Sequence, residues 1–290
     1  NLIETGLFHR FDATNILKKN LASVVTKIGL DHLEWLPENE KTIKKIVFEK
    51  TSKLINSNII VAKQNNSKIS DQIKTTILNN SSQKTFFGED YNFLINENNF
   101  FYYEDKFGEL KLPIPKLNGR FQLENISTAI STLRVIRQLK IQEKHIKLAI
   151  PKIYSIARLQ EITSGKLKNL VKKNKLIVDG THNPLGAKVL NQFLSSLSCN
   201  KHIIIGMMAN KNHQEFISNF KNFSSLTTID IPNQPNSING NDLKNKLRNY
   251  ENVNYKESIP EAIKSLHVQE NDLILITGSL YLAGEVLNLN

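Results

Sequence analysis

Residues 176–184 read Leu-Ile-Val-Asp-Gly-Thr-His-Asn-Pro. The apolar residues before Asp179 predict a short buried strand that ends in a carboxylate, and Gly180 allows a tight turn. Asn183 then stands at the N-cap of a predicted helix and Pro184 at its first helical position. A strand end that carries an acid and a histidine, opposite a helix N-terminus, is suited to hold an anion. The same pattern also occurs in routine strand-turn-helix connections, so the rest of the chain must distinguish the two.

The second half of the chain alternates regularly between strands and helices. Strands are predicted at 176–179, 203–206, 226–231, 253–255 and 273–277, with helices near 185–197, 212–221, 240–249, 259–267 and after Ser279. This alternation is typical of a Rossmann-like, mostly parallel sheet covered on both faces. No Gly-x-Gly-x-x-Gly follows a strand, so we predict no dinucleotide site.

The first half predicts a parallel sheet with polar residues at its strand ends. Strands are predicted at Leu2–Ile3, 24–28 and 59–62, with an amphipathic helix over 40–55 and a polar helix or loop over 65–83. Glu4 and His32 would then lie at one edge of the sheet, where ligands bind. Such a pair suits Mg²⁺ that also takes phosphate oxygens and water. The alternatives are that His32 has a purely structural role and that residues 4–15 form an ordinary loop.

Residues 84–115 are rich in aromatic side chains and predict antiparallel hairpins, separated by Gly88, residues 96–99 and Gly108. A helix follows, at whose start Gln122 and Asn125 can face one target or serve as caps. A short helix over 142–153 ends the first half, and we predict domains over 1–156 and 157–290.

Two charge patterns in the first half have ordinary explanations. Arg10 and Asp12 can form a local ion pair in a loop, and Glu49 and Lys50 read as a solvated charge pair on a helix.

Composition narrows the function classes. The net charge of +11 invites a nucleic-acid reading, but the lysines are scattered, which favours a general basic field that attracts anionic ligands over dedicated nucleic-acid binding. No apolar run is long enough for a membrane span. The single cysteine excludes an internal disulfide and indicates a reducing compartment, so we expect a cytoplasmic protein.

Taken in order, several stretches resemble the folylpolyglutamate synthase/dihydrofolate synthase family of the Mur ligase superfamily. The resemblance is carried by Glu4 to Asn15, Gly29 to His32, Phe48-Glu49-Lys50, Gly119 to Asn125, Arg158-Leu159-Gln160, Asp179 to Pro184, Gly206 to Lys211 and Thr277 to Tyr281. It implies a partial Mur-ligase-type central ATPase domain followed by a Rossmann-like C-terminal domain. The family's Gly-rich phosphate loop has no counterpart here, so we expect an N-terminally truncated chain that alone does not turn over ATP.

The resemblance also implies a reaction and roles for residues. ATP phosphorylates a folate or dihydropteroate carboxylate, and L-glutamate then attacks the acyl phosphate. By this resemblance, the Mg²⁺ ligands are Glu4, His32 and a carbamylated Lys50. The ATP phosphates contact Asn125 and Arg158, the ribose contacts Asp179, and His182 makes a second nucleotide contact. The implied catalytic residues are Lys50, Arg158 and His182. Family members are usually monomers.

The chain departs from the family pattern in places. Phe8-His9 stands where Gly-Gly is usual, Arg120-Phe121 where Gly-x-His is usual, and Ala157 where a Gly precedes Arg158. Thr51-Ser52 follows Lys50 in place of Ala-Gly, and Asn212 follows Lys211 where Asp is common. The alternatives are another Mur-type amino-acid ligase, such as a cell-wall ligase, and an inactive nucleotide-binding or basic interaction module.

Overall fold

The structure is a computed structural model and describes residues 1–96 and 100–290. The chain divides into two compact units, one formed by residues 1–116 and 120–153 and the other by 117–119 and 154–290. Among the described helices, none combines the length and the apolar character that crossing a bilayer requires.

The first unit is built on a three-stranded parallel sheet in the order β1-β2-β3. Its elements are β1 (Ala22–Val25), α1 (Ile43–Thr51), β2 (Asn58–Val61), α2 (Ser67–Thr76) and β3 (Lys84–Phe86). Ile46 and Val47 on α1 and Ile59 on β2 are fully buried, so the apolar side of α1 packs in the core as its periodicity predicts. The predicted helix over 40–55 is confirmed with narrower bounds, and the strand predicted at 24–28 begins and ends earlier.

The strand predicted at Leu2–Ile3 is wrong. Leu2 is 99% exposed, and residues 1–7 take no regular secondary structure. A strand needs a neighbour to satisfy its backbone groups, and no described strand pairs with this segment. The chain continues as two 3-10 turns, His9–Phe11 and Ala13–Ile16, where Asp12 caps the second by accepting the Thr14 N–H.

The predicted hairpins form a second sheet in this unit. β4 (Tyr91–Asn96), β5 (Phe100–Asp105) and β6 (Leu110–Pro113) pair antiparallel in that order. β3 belongs instead to the parallel sheet. Residues 96–99 were predicted to separate two hairpin strands, and of these residues 97–99 lie outside the described part of the chain. The remaining elements are α3 (Phe121–Val135) and α4 (Glu143–Ala149), with 3-10 turns at Leu33–Trp35, Glu38–Glu40, Arg137–Leu139 and Ile150–Lys152.

The second unit is a six-stranded sheet in the order β11-β10-β9-β12-β8-β7. Its strands are β7 (Gln160–Glu161), β8 (Lys175–Val178), β9 (Lys201–Ile205), β10 (Ser225–Ile229), β11 (Val253–Lys256) and β12 (Leu273–Thr277). Its helices are α5 (Lys166–Val171), α6 (Pro184–Ser195), α7 (His213–Ser218), α8 (Gly240–Lys246), α9 (Ile259–Ser265) and α10 (Leu280–Leu289).

All pairings in this sheet are parallel except β7 with β8, so the predicted mostly parallel sheet is confirmed. The central strand β12 is buried along its whole length, which is why it reads as a continuous apolar run. The short elements β7 and α5 show no clear hydrophobic periodicity, and they were not predicted.

The strand β1 forms one edge of its sheet among the described strands. Val24 on this strand is 43% exposed, and Leu21 just before it is 49% exposed. The first unit therefore presents apolar side chains next to backbone groups that no described strand pairs.

Candidate functional site

The tip of β8 carries a buried carboxylate. Asp179 directly follows the strand and is only 3% exposed. Its Oδ1 accepts the N–H of Thr181 at 2.8 Å, and its Oδ2 accepts the N–H of Leu159 at 2.7 Å. Both oxygens are therefore tied to backbone groups of the same unit, which fixes the carboxylate at the strand end.

Helix α6 begins as its sequence predicts. Asn183 is the N-cap, with its side-chain oxygen accepting the N–H of Gly186 at 2.9 Å, and Pro184 opens the helix. His182 precedes the cap and is half-buried, with its Nδ1 lying 3.0 Å from the carbonyl oxygen of Gly180. The β8 tip thus places an acid and an imidazole beside a capped helix N-terminus.

Arg158 lies on a tight turn next to this tip. Ala157 and Leu159 on either side of it both adopt left-handed backbone, with φ of 53° and 48°. The Gly180 N–H donates to the Ala157 carbonyl at 2.8 Å, and the Ala157 N–H donates to Gln160 Oε1 at 2.9 Å. The structure therefore brings Arg158 and Asp179, which are far apart in sequence, into one loop cluster in which the Arg158 side chain is exposed.

The left-handed backbone explains why a glycine would suit position 157. Glycine adopts positive φ without a steric penalty, whereas Ala157 pays about 1–2 kcal/mol for it. The departure at this position is therefore compatible with the turn, at a cost in stability that the hydrogen bonds around it offset.

Lys50 lies near the end of α1 in a mostly buried position. Its ammonium donates to the carbonyl oxygen of Leu7 at 2.8 Å and lies 5.6 Å from the centroid of the Phe8 ring. Burial lowers the pKa of Lys50, with the charge of Asp31 acting in the opposite direction. A lowered pKa enlarges the fraction of neutral amine, the form that reacts with carbon dioxide.

His32 packs against the same aromatic ring. The ring centroids of Phe8 and His32 are 6.3 Å apart in an edge-on arrangement, and His32 takes left-handed backbone with φ of 57°. Asp31 Oδ1 accepts the His32 N–H at 3.0 Å. Phe8, which replaces a glycine of the family pattern, thus lies beside both Lys50 and His32.

Glu4 does not reach a strand end. A place beside His32 at one sheet edge required a strand at Leu2–Ile3, and the structure has no strand there. Glu4 therefore remains a candidate through the resemblance alone. In the described ranges no group of three or more His, Cys, Asp or Glu could hold a metal ion. The residues present therefore fit Mg²⁺ only in its usual mode, with few protein ligands and the rest from phosphate and water.

Arg10 and Glu49 form an ion pair that was not predicted from the sequence. Arg10 donates through Nε to Glu49 Oε2 at 2.6 Å and through a terminal nitrogen to Oε1 at 2.8 Å. Glu49 is 3% exposed, so the prediction of a solvated Glu49–Lys50 pair is wrong. Arg10 forms its ion pair with Glu49 and not, as predicted, with Asp12. The pair ties the 3-10 turn at His9–Phe11 to α1, one residue from Lys50.

Hydrogen bonds from two basic side chains stabilise the ionised form of Glu49. Burial acts to raise the pKa of Glu49, but hydrogen bonds from Arg10 and Lys45 outweigh it and leave the pKa below the ordinary glutamate value. The carboxylate therefore stays ionised at neutral pH and holds the loop that carries Phe8.

The start of α3 confirms that Gln122 and Asn125 share a face, since Asn125 Nδ2 donates to Gln122 Oε1 at 3.3 Å. Between them, Glu124 accepts hydrogen bonds from Lys27 at 3.1 Å and Lys63 at 2.9 Å. These two lysines follow β1 and β2 by two residues each and were not predicted. Their position just past parallel strand ends was the available signal.

Known proteins match both units. Residues 166–280 match the family model of the Mur ligase glutamate ligase domain. The folylpolyglutamate synthase of Lacticaseibacillus casei is 26% identical over 98% of this chain and 65% of its own length. The dihydrofolate synthase/folylpolyglutamate synthase of Buchnera aphidicola (Baizongia pistaciae) is 26% identical over 96% of this chain and 62% of its own length.

Solved structures agree on the fold. Mycobacterium tuberculosis folylpolyglutamate synthase, complexed with ADP and AMPPCP, superposes with a TM-score of 0.82 at 18% identity, covering 98% of this chain and 67% of that one. Escherichia coli FolC in complex with DHPP and ADP gives a TM-score of 0.81 at 23% identity, covering 98% and 64%.

Residues 166–280, within the second unit, therefore correspond to the glutamate ligase domain of Mur ligases. The chain as a whole is similar to folylpolyglutamate synthases and dihydrofolate synthases, and it spans 62–65% of the length of these curated relatives.

Proposed function

We propose that the protein is an ATP-dependent ligase that joins L-glutamate to a folate or dihydropteroate carboxylate through an acyl phosphate. The observation that carries the proposal is the match to folylpolyglutamate and dihydrofolate synthases along almost the entire chain. The loop cluster of Arg158, Asp179 and His182 supports the proposal. A guanidinium and a helix N-terminus at the carboxyl end of a strand are suited to bind the phosphates of a nucleotide.

The residues have distinct chemical tasks in this proposal. Phosphoryl transfer demands charge stabilisation rather than covalent work by the protein, so Arg158 and Asn125 bind phosphate oxygens while His182 contacts the nucleotide. Asp179 binds the ribose of the same nucleotide.

Lys50 supports the proposal because burial lowers the pKa of its amine, and carbamylation requires the neutral form of an amine. A carbamate would turn this cation into an acid. Mg²⁺, when bound, would neutralise phosphate charge, and the chain would offer Glu4, His32 and carbamylated Lys50 to hold it. The functional domains over 1–156 and 157–290, the cytoplasmic location and the monomeric state are parts of the same proposal.

The experiment uses the purified full gene product with ATP, Mg²⁺, L-glutamate and either dihydropteroate or tetrahydrofolate. We expect ADP release that requires both the pteridine acid and glutamate, with a mass increase of the acid product by one glutamate. Arg158→Ala should lower the rate at least about 100-fold, as expected for loss of a group that stabilises transition-state charge. Lys173→Ala is the control, since the side chain of Lys173 is 82% exposed and forms a surface ion pair with Glu270.

Two other outcomes would contradict the proposal. ADP release that depends on a cell-wall precursor acid instead of a pteridine acid would indicate another Mur-type amino-acid ligase. Absence of nucleotide binding, together with tight nucleic-acid binding that survives moderate salt, would indicate a basic interaction module.

A further inference from the structure

Glu124 lies in the first turn of α3 and connects this helix to the ends of two strands. Its Oε2 accepts a hydrogen bond from Lys27 at 3.1 Å, and its Oε1 accepts one from Lys63 at 2.9 Å. Lys27 and Lys63 follow the parallel strands β1 and β2 by two residues each, and the last residues of these strands are paired with one another. Each oxygen of one carboxylate is therefore held by a lysine that leaves a different strand.

These ion pairs are only partly open to solvent. The side chain of Glu124 is 14% exposed, against 27% for Lys27 and 46% for Lys63. Ion pairs between fully exposed side chains contribute little, but a partly buried carboxylate shared by two ammonium groups is less screened and is held from two directions. The carboxylate is thus suited to fix the first turn of α3.

The rest of α3 is attached to β2 by a separate, buried contact. The Thr128 hydroxyl lies 2.9 Å from the Glu124 carbonyl oxygen and 3.1 Å from the Tyr91 hydroxyl, which in turn donates to the Val61 carbonyl at 3.0 Å. Tyr91 and Thr128 are 2% and 4% exposed. Because this contact uses neither the Glu124 carboxylate nor the two lysines, we expect the helix to stay in place when any of these three side chains is changed.

The residue after Glu124 is Asn125, whose side chain is exposed. Its Nδ2 donates to Gln122 Oε1 at 3.3 Å, a hydrogen bond within the same turn of the helix. The direction in which the Asn125 amide points therefore follows the position of this turn. That position is in turn fixed by the carboxylate of Glu124 against the ends of β1 and β2.

We propose that Glu124 is a positioning residue, which acts on the nucleotide through Asn125 because Lys27 and Lys63 hold its carboxylate. This rests on the proposed function, in which Asn125 binds phosphate oxygens of ATP. The two lysines contribute geometry in this assignment, and the carboxylate between them is required for their effect.

A different role for the lysines makes the opposite prediction. A lysine ammonium has three donors, so Lys27 and Lys63 could also attract or contact a phosphate directly. Glu124→Gln would then free both ammonium groups and remove a negative charge, which should strengthen ATP binding. If Glu124 positions Asn125, the same substitution should weaken it.

The test measures kcat/KM for ATP in the full gene product. The variants are Glu124→Gln, which removes a negative charge, and the double variant Lys27→Met/Lys63→Met, which removes two positive charges. We expect both to lower kcat/KM for ATP by about fivefold or more, since misplacement of a group that orients the reacting substrate costs up to about 100-fold. Lys27→Arg/Lys63→Arg, which keeps the charges and the donors, should retain at least about half of the wild-type value. An increase in Glu124→Gln would overturn the proposal.

A double-mutant cycle shows whether the effect passes through Asn125. Asn125→Ala alone should lower kcat/KM for ATP about tenfold or more, as for loss of a hydrogen bond to a charged group. Adding Glu124→Gln to Asn125→Ala should lower it by less than about twofold further, because the group that Glu124 positions is already absent. Multiplicative effects of the two substitutions would overturn the proposal.

A matched control comes from the same unit. Lys74 on α2 forms an ion pair with Glu89 after β3 at 2.5 Å, and so also joins two elements. Lys74→Met removes one positive charge and one such pair without touching α3. We expect its kcat/KM for ATP to stay within about twofold of the wild type, as for loss of an exposed pair. A loss as large as in the double lysine variant would indicate a general effect of charge and would overturn the proposal.

Amide hydrogen exchange without nucleotide reports on the helix itself. The amides of residues 125–128 should exchange faster in Glu124→Gln than in the wild type or in Lys74→Met, while those of residues 129–135 should not change. Unchanged exchange at 125–128 would overturn the proposal. If Asn125→Ala has wild-type kinetics while exchange at 125–128 still accelerates, the turn is held as described and the failure lies in the proposed phosphate role of Asn125, which also overturns the inference.

Discussion

Gly278 offers a decisive test of how closely the strand ends of the second unit approach one another. It follows β12 with φ of +109°, and its N–H donates to the carbonyl oxygen of Thr181 at 3.0 Å. A Cβ at this position would lie 2.7 Å from the Gly206 carbonyl oxygen and 2.8 Å from Ile205 Cγ1. Gly278→Ala therefore combines an unfavourable backbone conformation with a clash against another backbone segment.

The expected loss can be estimated from these two effects. Left-handed or related backbone costs a non-glycine residue about 1–3 kcal/mol, and a crowded core position costs about 1–3 kcal/mol more when the backbone has to shift. We expect the free energy of unfolding of the second unit to fall by about 3 kcal/mol. For a unit of this size that corresponds to a decrease in Tm of about 10 °C.

Gly284 is the matched control in the neighbouring helix α10. A Cβ there meets nothing within 4 Å. Because glycine inside a helix is about 0.5–1 kcal/mol less favourable than alanine, Gly284→Ala should raise the stability slightly. The same chemical change is thus expected to act with opposite signs at positions 278 and 284.

The assay is calorimetric unfolding of the chain, combined with hydrogen exchange of the β12 amides, which reports on the second unit alone. Faster exchange throughout β12 in Gly278→Ala, and not in Gly284→Ala, would identify the affected region. A Gly278→Ala protein as stable as the wild type would refute the close approach at this strand end, and an equal loss in both variants would refute the reasoning about backbone conformation.

Two further predictions concern the first unit. Phe8→Gly should raise the pKa of Lys50 toward the ordinary lysine value, because the ring that helps to bury the amine is removed. ¹³C NMR under ¹³CO₂ should then show less carbamate at pH 8. An unchanged carbamate signal would contradict the role of Phe8. Glu49→Gln should destabilise this unit at neutral pH, and the difference from wild type should vanish as the pH falls through the lowered pKa of Glu49, since a depressed carboxylate pKa stabilises the fold only above it. The fluorescence of Trp35, the single tryptophan of the chain, reports on this unit, and the exposed Glu89→Gln should show a much smaller effect; equal effects of the two substitutions would contradict the buried pair.

Local sequence patterns predicted the second unit well because its signals are short-range. The strand before Asp179, the cap at Asn183 and the proline at the first helical position of α6 all occur within a few residues, and the structure confirms them. The strand predicted at 273–277 has the same bounds in the structure, because a fully buried parallel strand reads as an uninterrupted apolar run.

Contacts between distant residues were not predictable in the same way. Arg10 and Glu49 are 39 positions apart, and nothing in the local pattern of either residue indicates the other. The strand expected at Leu2–Ile3 had suitable residues, but none of the described strands pairs with this segment. Strand formation depends on a pairing partner at least as much as on propensity.

The structural effects of the departures from the family pattern could not be predicted from the sequence. Phe8 stands where glycine is usual, and only the structure shows its ring beside Lys50 and His32. Ala157 also stands where glycine is usual, and its positive φ shows that the turn is retained despite the side chain.

The edge of β1 that none of the described strands pairs affects how the 290-residue chain will behave when it is purified. Unpaired strand edges flanked by apolar side chains are templates for further strands, including those of other copies. At high concentration, association through this edge would yield dimers or larger particles. Sedimentation data on this chain should therefore be collected over a range of concentrations and repeated with Val24→Lys, which places a charge on the same edge.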